Sequence, residues 1–330
     1  MMMAAPPGPT LVEKKETLRI PEKKKTKYDV IIIGAGPAGY TAGIYLARGR
    51  RDTLILSGLL PGGQLVNTTD VENYPGFESG IMGPDLMVTM RNQAKNMGVK
   101  IIDEEATNVN FKDKPFAILT PDEEYEAPAI IIATGASPRK LGLQGEQIFA
   151  GKGVSYCATC DGPFFRNQDI VVVGGGDSAM EEATFLSKFA RMVHLIHRRD
   201  KFRASKVMQE RVFDNEKIVV HYDTILEDIS GDQLVQHVTL KSTTTGETSR
   251  LDAGAVFVAI GHEPNTKIFA NQIDMDSDGY IALNGTHTSV DGVFAAGDAH
   301  DRRYRQAVTA AGFGCMAAID TEHYLAEHLG

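Results

Sequence analysis

The sequence predicts an α/β protein made of two Rossmann-like dinucleotide-binding modules, and three observations predict it. A β-branched run that ends in a glycine-rich turn and continues into a helical segment occurs twice, around Gly34 and again around Gly174. The 330 residues exceed one ordinary core and suit two domains at roughly 150 residues each. With 42% hydrophobic and 23% charged residues the composition is that of a soluble globular chain, and no apolar run approaches the roughly 18 to 20 residues of a membrane span.

In the first module, residues 28–33 are expected as a strand and residues 40–48 as a helix, with Gly34, Gly36, Pro37, Ala38 and Gly39 between them. Glycines there allow a tight turn and let the backbone approach a pyrophosphate, whose charge meets free N–H groups and the positive end of the helix dipole. Gly39 lets helix and strand pack closely. The next strand, 53–56, ends at Ser57 and Gly58, without the acidic residue that a generic site offers to a ribose, so the motif alone leaves this module's ligand open.

In the second module, residues 170–173 lead into Gly174, Gly175, Gly176, Asp177, Ser178 and Ala179, and Ser178 with Glu181 is expected to form a capping box. Two such turns imply two dinucleotides. The following strand, 192–196, runs into His197, Arg198 and Arg199, with Arg203 close behind. An NAD site would place an Asp or Glu there; guanidinium forks instead suit a 2′-phosphate, so NADPH is expected over NADH.

Between the modules stands Cys157-Ala158-Thr159-Cys160-Asp161. Such a pair can close a small disulfide, and a helix N-terminus beside it raises the thiolate fraction, the nucleophile of thiol–disulfide exchange. A structural zinc site would need a second pair of ligands. The remaining cysteine, Cys315, stands alone and none of the nine histidines forms such a pair, so no metal is expected and Cys315 is expected as a small buried core residue. Asp161 has two open readings, a proton donor and acceptor for the thiols or a helix cap. A chain that moves electrons from a nicotinamide nucleotide to a disulfide also needs a two-electron carrier such as a flavin.

A net charge of −9 and a pI near 5.5 argue against a nucleic-acid partner. Three cysteines cannot build a disulfide framework, which points to an intracellular chain, and a cytoplasmic location is expected because no targeting signal is read in the sequence. Residues 1–27 carry seven Lys or Arg against three Glu and are expected as a disordered tail without targeting function.

These residues resemble the low-molecular-weight thioredoxin reductase family from about Tyr28 to the C-terminus. The blocks that carry the likeness are Gly62-Gly63-Gln64-Leu65, Val71 to Gly76 with Asn73, Ala133-Thr134-Gly135, the Cys157 to Gly162 stretch, His197-Arg198-Arg199 with Arg203, Gly261 to Asn265, Ala295 to Asp298, and Tyr304-Arg305-Gln306-Ala307. The resemblance implies a discontinuous FAD domain, 28–139 and 267–330, with an NADPH domain, 140–266, inserted and carrying the cysteine pair. It also makes the Ser57-Gly58 strand end ordinary.

By the same resemblance FAD is expected against Gly34, Gly36, Pro37, Ala38, Ser57, Gly58, Gly62, Gly63, Gln64, Leu65, Asn73, Ala133, Thr134, Gly135, Gly297, Asp298, Arg305, Gln306 and Ala307. Asp298 would bond the ribityl chain and Gln306 would lie by the ring. NADPH is expected against Gly174, Gly176, Asp177, Ser178, Glu181, His197, Arg198, Arg199, Arg203, Ile260 and Gly261. The implied reaction passes hydride from NADPH to FAD, reduces the Cys157–Cys160 disulfide, and ends in dithiol exchange with oxidised thioredoxin, Cys160 facing the flavin and Cys157 attacking the partner. A homodimer is implied, and the two crossovers near Gly135 and Gly261 are expected as hinges. The alternatives are reduction of another thioredoxin-like or glutaredoxin-like partner, or a redox-sensing flavoprotein.

Overall fold

The computed structural model describes residues 25–59, 61–68 and 70–329. Positions 1–24 of the expected tail lie outside the described residues. Its last three, Lys25–Lys27, form a strand and correct that expectation: they pair in parallel with the edge strand Glu124–Ala127 and extend that sheet.

The first module is built on a five-stranded sheet in the spatial order Val293–Ala295, Ala129–Ile132, Val30–Ile33, Thr53–Leu56, Lys100–Ile102, all parallel. Its central strands are unbroken apolar runs because both faces are covered, the usual pattern of a parallel sheet. Val30 and Ile32 face a core completed by the helices Pro37–Arg48, Gly83–Asn96 and Ala307–Leu329. Ile31 and Ile33 face the opposite core, with Phe111, Phe116 and Phe269. The sheet's first strand and the long helix against Pro37–Arg48 both come from the C-terminal part of the chain, so this module is discontinuous.

The second module repeats the plan. Val154–Ser155, Ala255–Ala259, Asp169–Gly174, Met192–Ile196 and Ile218–His221 form a second parallel sheet, with the helix Asp177–Leu186 over one face. A three-stranded antiparallel sheet, Thr224–Gly231, Val235–Ser242 and Thr248–Asp252, covers the other. The two passages between the modules lie side by side: Ala136–Pro138 pairs antiparallel with His262–Pro264. Among the described residues no helix is long and apolar enough to cross a membrane.

The helix of the first module starts at Pro37, at the first turn where its missing N–H costs nothing, three residues before the expected start. The expected capping box is corrected. The second helix starts at Asp177 with Gly176 as its N-cap and no side-chain cap, which puts Ser178 inside the first turn.

Candidate active site

Both glycine turns are shaped by close backbone approach. Gly34 has φ of +112°, and a Cβ there would lie 2.2 Å from the Ala133 carbonyl oxygen; one on Gly39 would lie 2.0 Å from that of Gly34. A side chain at either position would push the turn off the sheet. A Cβ on Gly36 would meet nothing within 4 Å, so the helix N-terminus opens on free space. The helix has no side-chain cap, leaving its first N–H groups available to an anion.

Around this opening stand most of the residues expected at a flavin nucleotide. Gly62 and Gly63, both at positive φ, start the turn Gly63–Asn67, which carries Gln64 and Leu65; a Cβ on Gly63 would lie 3.7 Å from Cα of Gly36. Ala133 abuts Gly34, and the hydroxyl of Thr134 is buried without a hydrogen-bond partner among the described residues. Gly135, at positive φ, accepts the N–H of Asn265 at 3.0 Å. Gly297 packs against Ala38, and Asp298 follows at the end of the sheet. Burial, and then the nearby charge of Asp301, push the Asp298 carboxyl up to about 7, while Arg305 pulls it back. Hydroxyl donors brought to this carboxyl would favour its charged form. Gly58 is open, but the Ser57 hydroxyl is committed to Asp103, donating at 2.6 Å.

The loop before Ala307 is fixed by Asp301, a buried carboxylate that accepts the N–H groups of Arg303, Tyr304 and Arg305 at 2.8, 2.9 and 3.3 Å. Arg305 then reaches the Nδ1 of His262, on the crossover strand His262–Pro264. Burial, reinforced by the Arg305 charge, pushes His262 down to about 4.

The second turn is braced differently. A Cβ on Gly174 would lie 2.5 Å from the Ala259 oxygen, whereas Gly176 faces open space as Gly36 does. His197 is buried, its ring nitrogens facing the carbonyls of Gly174 at 3.0 Å and Lys201 at 2.9 Å. It therefore holds the turn against the arginine loop, with no polar atom left for a ligand. Asp177 accepts the Ser205 N–H at 2.8 Å, a second clasp on that loop, and Glu181 is exposed on the following turn. Arg198, Arg199 and Arg203 are exposed, and among the described residues none makes an ion pair or a side-chain hydrogen bond. Gly261, at positive φ after Ile260, accepts the Arg139 N–H at 3.0 Å across the crossover ribbon.

Cys157 and Cys160 form a disulfide with Cα atoms 5.3 Å apart. Cys157 caps the short helix Ala158–Asp161 and its carbonyl accepts the N–H groups of Cys160 and Asp161 at 3.2 and 3.1 Å. The pair faces the first module. Cys157 Sγ lies 3.4 Å from Thr159 Oγ1, which accepts from Gln306 Nε2 at 3.3 Å, and Gln306 Oε1 accepts from Asn73 Nδ2 at 3.4 Å. Residues expected at the flavin ring and the redox pair are thus joined by one hydrogen-bonded chain between modules. Burial raises the Asp161 carboxyl above the usual carboxylate range, and a hydrogen bond from Ser155 opposes the rise.

Sequence reasoning missed Thr159, Ser155, Asp301 and His262 as members of this site. Thr159 could have been read from its place inside the cysteine pair; the other contacts are made by folding and left no local signal. Cys315 is corrected: it is a free cysteine, half-buried on the long C-terminal helix beside the exposed Tyr45, and not part of the core. Among the described residues no cluster of His, Cys, Asp or Glu could hold a metal ion.

The pattern of the pyridine nucleotide-disulphide oxidoreductase family matches residues 28–314. Thioredoxin reductase of Mycolicibacterium smegmatis is 55% identical over 305 residues, covering 92% of this chain and 98% of that protein. Among solved structures, thioredoxin reductase from Giardia duodenalis is 44% identical with a TM-score of 0.87, covering 91% of this chain and 99% of the other. Thioredoxin reductase from Lactococcus lactis in its FR conformation is 42% identical over the same shares, with a TM-score of 0.62.

Proposed function

From these likenesses we infer that this chain, which belongs to the pyridine nucleotide-disulphide oxidoreductase family, is a thioredoxin-disulfide reductase that uses a flavin and a pyridine nucleotide. The observation that carries the reading is the Cys157–Cys160 disulfide of the second module resting, through Thr159 and Gln306, on the open glycine turn side of the first.

The finer assignments are proposals. FAD is the flavin, because the first site offers a dinucleotide cradle at Gly34 and Gly36 together with the unpartnered Thr134 hydroxyl and the Asp298 carboxyl. NADPH is the nucleotide, because Arg198, Arg199 and Arg203 are exposed without side-chain partners among the described residues, at the strand end where a 2′-phosphate would be met. Domain limits at 139/140 and 266/267 are supported by the crossover ribbon that they bracket. A cytoplasmic homodimer is the working state.

When bound, the flavin supplies a two-electron relay between reduced nicotinamide and the disulfide. The residues of the chain do the rest. Cleavage of the Cys157–Cys160 bond by two electrons and two protons yields a dithiol, with Asp161 placed beside it to give and take one of the protons. Cys157 attacks the partner's disulfide as thiolate, a mixed disulfide forms, and Cys160 resolves it, releasing the partner's dithiol and restoring the original bond. Gln306 and Asn73 orient the pair against the first module.

The disulfide must reach the flavin and then a bulky protein partner, while a nicotinamide also needs the flavin, and one fixed arrangement serves all three poorly, so the second module is proposed to rotate about the crossover ribbon. The two solved relatives support this, since nearly equal identity and coverage accompany TM-scores of 0.87 and 0.62, as expected when the same modules sit at different angles. The function is tested by mixing the holoenzyme with NADPH and oxidised thioredoxin: two partner thiols per NADPH are expected with the wild type and none with Cys157→Ser. NADPH consumption without thioredoxin thiols would mark an oxidase or a sensor.

A further inference from the structure

We propose that Ser155 is a positioning residue of the redox centre, whose hydroxyl holds the Asp161 carboxyl and the backbone of Cys157 in one fixed arrangement. The inference rests on the reading of Asp161 as the group that exchanges protons with the dithiol, and gives that group its orientation.

Ser155 ends the short strand Val154–Ser155, paired to Phe257 on the border of the second sheet, and is buried with 5% of its surface exposed. Its Oγ lies 2.5 Å from Asp161 Oδ2, accepts the N–H of Cys157 at 3.1 Å, and is 3.4 Å from the Cys157 carbonyl oxygen. A hydroxyl has one hydrogen to donate. The Cys157 N–H takes a lone pair, so the hydrogen goes to the nearer and charged acceptor, Oδ2 of Asp161, and the Cys157 carbonyl at 3.4 Å is left to the helix N–H groups. One of the two carboxylate oxygens is thereby tied down. The other, Oδ1, is buried and has no hydrogen-bond partner among the described residues, and so remains for a proton bound for sulfur.

Among the described residues no charged neighbour shares this role. Burial lifts the Asp161 carboxyl and the Ser155 hydroxyl lowers it, while Asp177, Glu181 and Glu182 on the helix packed against Ala158–Asp161 do not enter. After reduction the Cys157 and Cys160 thiols become the other titrating groups beside it. Replacing Ser155 by Ala would leave both carboxylate oxygens without a side-chain donor, disfavouring the charged form, so Asp161 would bind its proton more tightly. It would also release the Cys157 N–H at the start of the pair's helix. Thr keeps the hydroxyl.

The test is an infrared titration of the oxidised, flavin-loaded holoenzyme, following the carboxyl band that is missing from Asp161→Asn, paired with the pH profile of thioredoxin reduction. In Ser155→Ala the Asp161 midpoint is expected about one pH unit above wild type, a tenfold gain in proton affinity, with the Asp161-dependent limb of the profile moved the same way. Ser155→Thr is expected to return both to the wild-type position. An unchanged infrared midpoint in Ser155→Ala, or equal shifts in the Ala and Thr variants, would overturn the assignment. If the band moves but the pH profile of Asp161→Asn matches wild type, Ser155 stands as the group that orients Asp161, and the acid–base role of Asp161 falls instead.

Discussion

Removal of a single guanidinium from the second module separates the two nicotinamide nucleotides. Arg198, Arg199 and Arg203 are exposed at the end of Met192–Ile196 and carry no ion pair among the described residues, so no internal partner has to be given up when a phosphate arrives. A hydrogen bond to a charged group contributes about 1.5–3 kcal/mol when sheltered, and exposed ion pairs contribute about 1 kcal/mol or less. A two-pronged contact at this open rim therefore falls near 1–1.5 kcal/mol, roughly a 5- to 13-fold rise in KM for NADPH in Arg199→Ala. NADH lacks the 2′-phosphate, so its KM should stay within about 2-fold. The contact is made equally in ground and transition states, which leaves kcat unchanged. Steady-state kinetics with both nucleotides at low and at about 0.15 M salt is the assay; screening over roughly 8 Å should shrink the wild-type preference at the higher salt. His197→Ala is a contrasting variant: its ring holds Gly174 and Lys201, and both nucleotides should bind less well. Equal loss of NADH and NADPH in Arg199→Ala, or no loss at all, would refute the assignment of this loop to the 2′-phosphate.

Other consequences follow from the same geometry. Gly34→Ala places a Cβ 2.2 Å from the Ala133 oxygen at a φ of +112°, and should cost at least about 2 kcal/mol of stability and most of the bound flavin, read by thermal unfolding and by the flavin-to-protein absorbance ratio. His262, held near 4 rather than 6.5, binds fewer protons folded than unfolded between those values. Its contribution is complete above pH 6.5 and is lost as pH falls toward 4; His262→Gln should flatten that part of the apo-protein's melting curve against pH, and an equally steep curve would refute it. The loops carrying Asn67 and Gly151 touch across the modules, with a Cβ on Gly151 3.5 Å from the Asn67 oxygen. A bifunctional crosslink between cysteines placed at Asn67 and Lys152 should allow at most one turnover, and undiminished multiple turnovers would reject the rotation.

What the sequence disclosed and what it hid divide along contact range. The strands Thr53–Leu56 and Met192–Ile196 and both glycine turns were legible because β-branched runs, close helix–strand packing and free helix N-termini are local requirements. The capping box failed for a local reason: Gly176 already serves as N-cap, so the serine two residues later has no free N–H of the right geometry to accept. The strand Lys25–Lys27 was hidden because a lysine-rich segment pairs through its backbone, with Lys27 beside Glu126 and Thr26 donating to Glu123, against an edge at Glu124–Ala127 that composition does not announce. Ser155 with Asp161, Thr159 with Gln306, and Arg305 with His262 unite residues from different elements, and the last two pairs span the modules. His197 shows the converse: its place in a nucleotide-binding block suggested a ligand contact, while its buried ring serves the two loops that frame the site.

The most direct test of the electron path is anaerobic titration of the holoenzyme with NADPH, following flavin absorbance and counting thiols after denaturation. The chain has three cysteines, of which Cys315 is free and the other two are joined. Wild type should bleach and rise from one titratable thiol to three, whereas Cys160→Ser should bleach with its two thiols unchanged. Bleaching of the wild type with the count still at one would contradict a path through the Cys157–Cys160 disulfide.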